Sequence, residues 1–230
     1  MQPWMLRAPA YDLSPADEEA CQAALGVKTA ALLPEALPRW VFLRWLAEQG
    51  FLLHGSPVND LKELHPADKA YRQPDEFSNT IGVYAASDGI WAMMYALRNP
   101  QTTQMSDMCL RLREEGQWSE MLYFMSLAPR QGQVNRAEEL LTRGSVYVLS
   151  REGFQSSPPY HHSGLGEVQE SHWVSPSPVR PLFTVPVQPA DFPLPVRLHD
   201  RATVDARCRA DPWGFPWLTA HPGWMRKNDL

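Results

Sequence analysis

The chain has 230 residues, of which 44% are hydrophobic and 20% charged. These proportions suit a folded domain with a sizeable core and exclude disorder over the whole length. A formal net charge of -5 speaks against holding duplex nucleic acid by phosphate neutralisation and favours small molecules or proteins as partners. Cys21, Cys109 and Cys208 stand far apart with no CxxC spacing, which predicts no disulfide partner and a cytoplasmic, reducing setting. The opening MQPWMLRAPAYD has no basic region followed by an apolar one, so no secretory signal is expected. The most apolar stretch, Trp40 to Leu53, is interrupted by Arg44, Glu48, Gln49 and Gly50, so no membrane span is expected.

The first 49 residues read as a helical extension. Ser14, Pro15 and Asp17 mark a helix start that Gly26 closes, and a second helix runs from about Pro38 to Gln49. Residues 50–187 read as the core. Phe51 to His54 is a short strand ended by Gly55-Ser56-Pro57, and Gly82 to Ala86 is a second, followed by Ser87-Asp88 as the cap of a helix to Arg98. A hairpin is expected over about Met108 to Arg113 and Ser119 to Ser126. A short helix follows near Arg136 to Thr142 and a strand over Gly144 to Leu149. Residues 155–167 are rich in Ser, Pro, His and Gly and read as an exposed loop; strands return over Glu170 to Ser175 and Val179 to Val187. Residues 188–230 form a Pro/Trp-rich tail: twelve of the 22 prolines lie between Pro158 and Pro222, which predicts an irregular wrap on the core. The fold class expected is α+β with an antiparallel or mixed sheet.

Chemistry is expected around His54, Tyr84, Tyr95 and Glu170. A glycine after His54 lets the backbone approach a flat ligand, and His54 is then free to donate to a sugar hydroxyl. Tyr84 on its strand and Tyr95 on the next helix are spaced to converge, with their phenol faces enclosing an aromatic ring. Glu170 lies on a later strand with Val168 and His172 on its face, and is set to project into the same cleft. Trp91, Met93 and Met94 read as the core face of their helix. Arg111 and Arg113 read as surface residues, and His161, His162, His172 and Cys109 lack zinc-ligand spacing.

Leu53-His54-Gly55-Ser56, then Gly82-Val83-Tyr84 with Tyr95 eleven residues on, then Glu170, resembles the ADP-ribosyltransferase superfamily in its diphtheria-toxin and poly(ADP-ribose) polymerase branch. That branch carries a His–Tyr–Glu triad. The resemblance covers about residues 50–187 and implies a split antiparallel or mixed β-sheet core that cleaves NAD as a substrate. It implies His54, Tyr84 and Glu170 as catalytic and His54, Gly55, Ser56, Tyr84 and Tyr95 as NAD-binding. His54 would bond the nicotinamide ribose and the Gly55 backbone would hold the carboxamide. Tyr84 and Tyr95 would flank the pyridine ring, and Glu170 would favour the oxocarbenium-like state.

Glu167 and Gln169 stand close enough to Glu170 to compete for its role. Ala92 occupies a place where poly(ADP-ribose) polymerases carry a serine. The activity expected is NAD-dependent ADP-ribosyl transfer, or NAD glycohydrolysis, with an acceptor (protein, nucleic acid or small molecule) that the sequence does not name. The alternative is a non-catalytic NAD- or protein-binding module whose tail tryptophans Trp213, Trp217 and Trp224 serve an interface. An RNA 2′-phosphotransferase is a poorer third reading, because no arginine stands beside His54.

Overall fold

The computed structural model describes residues 2–68 and 75–218. Helix α1 (Pro15–Gly26) starts where its cap residues predict: Ser14 Oγ accepts the Asp17 N–H, and the Asp17 carboxylate accepts the Ser14 N–H in return. Helix α2 (Arg39–Glu48) buries Trp40, Leu43 and Leu46 and leaves Arg44 and Glu48 outside as an ion pair of 3.0 Å, one turn apart. Helix α3 (Gly89–Ala96), capped by the Asp88 carboxylate on the Trp91 N–H, is buried on nearly every side, as a central helix must be. Helix α4 (Arg201–Ala210) corrects the expectation of an irregular tail. Residues 196–211 contain no proline, and Asp200 caps the helix on the Thr203 N–H.

Thirteen strands complete the described residues: β1 (Leu6–Arg7), β2 (Leu52–Ser56), β3 (Val83–Ala86), β4 (Thr103–Glu114), β5 (Gln117–Trp118), β6 (Leu122–Pro129) and β7 (Gly144–Leu149), then β8 (Gln155–Ser156), β9 (Tyr160–His162), β10 (Gly166–Glu170), β11 (His172–Ser175), β12 (Phe183–Val187) and β13 (Arg197–Leu198). One sheet has the order β1-β6-β4-β10-β9, with β5 on β4 and β13 on β6. The other has the order β12-β7-β2-β3-β11-β8. Every pairing is antiparallel except that of β13 with β6. The protein is therefore α+β, with two sheets and four α-helices.

Three local differences from the sequence reading matter for the site. Strand β2 does not stop at His54, because Gly55 and Ser56 continue the ladder opposite Val146 and Ser145 of β7. The stretch 155–167 is not a bare loop: it holds β8, β9 and the start of β10, since its prolines fall between the paired residues. The strand expected over Glu170 to Ser175 is broken at Ser171. There the chain leaves β10, where Glu170 faces Leu110 of β4, and enters β11, where His172 faces Ala86 of β3.

One apolar cluster joins α1, α2 and α3 to both sheets, through Phe42, Leu46, Leu53, Met93, Leu97, Tyr123 and Val146 among others. Residues of the first 49 positions therefore share a core with the strands. The far side of each sheet has its own cluster. On the β4–β6 sheet it holds Leu110, Leu122, Phe124 and Val168, with Trp4, Tyr160 and Phe215 packed against it. On the β2–β3 sheet it holds Leu52, Val83, Tyr147 and Leu149. Among the described residues no helix is long and apolar enough to cross a membrane, and the three cysteines are free thiols.

Candidate active site at the junction of the two sheets

Between β10 and β11 the chain passes from one sheet to the other through one residue, Ser171. Its N–H points to Cys109 of β4 at 3.5 Å, and its carbonyl accepts the Ser87 N–H at 3.0 Å beside α3. This pins Glu170 and His172, one on either side, at the point where the sheets part.

Strand β2 touches β3 at only one pair, Leu53 opposite Ala86. Past that pair, His54 Nδ1 lies 2.6 Å from the main-chain oxygen of Tyr84. A carbonyl only accepts, so Nδ1 carries the proton. Burial pushes the imidazole pKa below its usual value, against the Tyr84 bond that raises it, and the ring is neutral at pH 7. Nε2 is then an acceptor. This reverses the direction expected from sequence: His54 is set to receive a hydrogen bond from a ligand hydroxyl, not to give one.

Gly55 has a structural reason beyond ligand approach. A Cβ there would meet Ala92 O of α3 at 1.8 Å and Ala96 N at 2.7 Å, so the glycine is what lets helix and strand touch. Ala92 is accordingly buried against β2. Ser56 is buried, and its Oγ accepts the Val58 N–H at 3.1 Å, holding the turn that leaves β2.

The Tyr84 hydroxyl, a single donor, lies among three carbonyls of the segment before its strand, nearest Thr80 and within 3.0 Å of Ser78 and 3.4 Å of Phe77. The Tyr84 ring lies against His172, with centroids 4.8 Å apart and planes tilted by 32°. His172 in turn meets the Trp91 indole edge-on at 5.3 Å, and Trp91 meets Tyr95 at 6.4 Å. The contacts that link the two tyrosines thus run through an imidazole and an indole. Tyr95 is 37% exposed. Its hydroxyl donates to Asp107 at 3.4 Å, and the Arg98 guanidinium lies 5.7 Å from its ring centroid.

Glu170 closes the set. One carboxylate oxygen accepts the Tyr160 hydroxyl at 3.0 Å; the other lies 3.4 Å from His172 Nδ1, which is also 3.4 Å from Ser78 Oγ. Glu167 turns away and forms an exposed fork with Arg113 at 3.0 and 3.2 Å. Period-two alternation along β10 explains the split: Glu167 shares its face with Gln169, Glu170 with the fully buried Val168.

A second carboxylate, Asp107 of β4, accepts Trp91 Nε1–H at 2.7 Å. Burial raises its pKa, opposed chiefly by that indole bond and by Arg98. Asp88, under α3, is also raised by burial and holds the Tyr123 hydroxyl at 2.7 Å.

Trp91, Asp107 and Tyr160 escaped the sequence reading as site residues. Trp91 sits in an unbroken apolar helix, and Tyr160 in a stretch whose prolines mask its strand. Asp107 comes alongside through distant pairing: its strand β4 lies beside β10, where Leu110 faces Glu170, and its carboxylate meets Trp91 of α3. A separate cavity of about 690 Å³ lies elsewhere, lined by Arg130, His199, Arg201 and Asp205 among others, and shares no residue with this junction. Comparison with known proteins finds no matching family model, no matching curated protein and no matching solved structure.

Proposed function

We propose that the protein is an NAD-dependent ADP-ribosyltransferase, or an NAD glycohydrolase using the same site. One observation carries the reading. His54, Tyr84 and Glu170, distant in sequence, come to one sheet junction: the His54 imidazole bonds the Tyr84 main-chain oxygen at 2.6 Å, while His172 touches the Tyr84 ring at 4.8 Å and the Glu170 carboxylate at 3.4 Å.

In this reading the pyridine ring of NAD lies against the row of rings Tyr84, His172, Trp91 and Tyr95, whose faces favour a cationic heterocycle. The ribose hydroxyl donates to His54 Nε2. The bond between ribose C1′ and the nicotinamide nitrogen breaks, and its electron pair leaves on nicotinamide. Glu170, with Asp107 nearby, favours the positive charge that develops on the sugar. The acceptor oxygen or nitrogen then bonds to C1′ and loses its proton; water as acceptor gives free ADP-ribose. Nicotinamide release from NAD by the full chain is the test. Wild-type protein that neither binds nor cleaves NAD would defeat the reading.

Ala92 supports a second reading, a module that binds NAD without turnover, because α3 offers no hydroxyl where the resembling enzymes have one. Calorimetry that records NAD binding by a chain releasing no nicotinamide would favour it. The tail gives this reading less support than the sequence implied. Trp213 and Trp217 are half-buried against the chain's own residues, on His162 and Phe215 respectively, and Trp224 lies outside the described residues.

A further inference from the structure

We infer that Tyr160 is the positioning residue of the candidate site, and that the C-terminal segment holds it there through Trp213. The inference rests on the NAD-cleaving reading above and adds to it a residue outside the His–Tyr–Glu set.

Strand β9 pairs with β10 so that Tyr160 stands opposite Val168. Glu170 is two residues further along the same face, and long side chains reach such diagonal neighbours across antiparallel strands. The Tyr160 hydroxyl uses that reach and donates to Glu170 Oε1 at 3.0 Å. A glutamate side chain has three rotatable bonds and is fixed best when both oxygens are engaged, and here the other oxygen has the longer 3.4 Å contact with His172. The tyrosine bond is the shorter of the two and comes from a ring packed against the apolar cluster of Val168 and Phe124.

Tyr160 is held from behind. The Trp213 indole lies 6.0 Å from its ring and meets the His162 imidazole edge-on at 5.1 Å, so that it packs on the face of β9 that carries both side chains. Further contacts hold the segment that carries Trp213. The Trp213 N–H donates to the Asp211 carboxylate at 3.0 Å, and Arg207 of α4 donates to the Trp217 carbonyl at 3.3 Å. Phe215 packs against both Trp4 and Phe124, at 5.4 and 5.3 Å, in a three-ring cluster. The segment after α4 thus braces β9, β9 carries Tyr160, and Tyr160 orients Glu170.

The test is steady-state nicotinamide release from NAD by the full chain carrying Tyr160→Phe, Trp213→Ala, Trp213→Phe or both Tyr160→Phe and Trp213→Ala. Tyr160→Phe keeps the ring and removes only the donor. It lowers kcat about tenfold or more, the usual worth of one hydrogen bond to a charged group, and leaves KM for NAD within about twofold. Trp213→Ala lowers kcat in the same way and adds little to Tyr160→Phe, because both act through one bond. Trp213→Phe restores most of the rate. Tyr160→Phe with wild-type kcat, a change confined to KM, or effects of the two variants that simply multiply would overturn the inference. Wild-type chain that releases no nicotinamide removes the NAD-cleaving reading and this inference with it. A dead Glu170→Gln beside a fully active Tyr160→Phe removes the inference alone.

Discussion

His54 reaches out of strand β2 to the main-chain oxygen of Tyr84 at 2.6 Å, across two strands that share a single bridge at Leu53 and Ala86. The histidine replaces the ladder bonds the splayed strands do not make. It also fixes its own tautomer, with Nε2 left as the acceptor.

That bond predicts the behaviour of His54→Ala. The Tyr84 carbonyl loses its donor in a buried place, so the variant is less stable by about 2 kcal/mol. Urea unfolding should show the loss with an unchanged slope, and NAD binding, followed by calorimetry, should weaken along with it.

Two glycines separate packing from chain entropy. Gly55→Ala drives a methyl group to within 1.8 Å of the Ala92 carbonyl oxygen, a backbone clash that no rotamer relieves, and should cost about 3 kcal/mol. Gly26→Ala, at the end of α1 with open space around its Cα, should gain about 0.5 kcal/mol from helix propensity. Thermal unfolding of the two variants should move in opposite directions.

His199 gives the pH dependence a sign. Burial lowers its pKa from 6.5 to about 4, and Ser126 Oγ lies 3.0 Å from its Nδ1. The unfolded chain therefore takes up this proton first as acid is added. The stability contributed by neutral His199 is full above pH 6.5 and is lost as pH falls from 6.5 toward 4. His199→Gln should flatten the fall over that window by comparison with wild type. Asp88 and Asp107, whose raised pKa values act in the opposite sense, are common to both proteins and cancel in the comparison.

Where single residues decide local structure, the sequence was readable. Ser14 and Asp17 as a capping box, Asp88 as a helix cap and the apolar runs at Gly144–Leu149 and Val83–Ala86 each state their conformation through near neighbours. Val168 on the face of Glu170 was legible, but Glu167 read as the end of a loop and stayed an alternative, because β10 starts at Gly166. What sequence reading missed depends on distant pairing. Tyr160 looked like loop because Pro158 and Pro159 precede it, yet β10 supplies its partners. The break at Ser171 follows from two sheets competing for one strand, which no window of residues around it records. Helix α4 was obscured by the proline count of its surroundings, although its own ten residues contain none.

The central claim is that Glu170, among the acids of β10, serves NAD cleavage. Nicotinamide release by full-length wild type, Glu170→Gln and Glu167→Gln tests it directly. Wild type should release nicotinamide measurably, Glu170→Gln should fall at least about a hundredfold, and Glu167→Gln should stay within about twofold of wild type. Glu170→Gln as active as wild type, with its thermal unfolding unchanged, would contradict it.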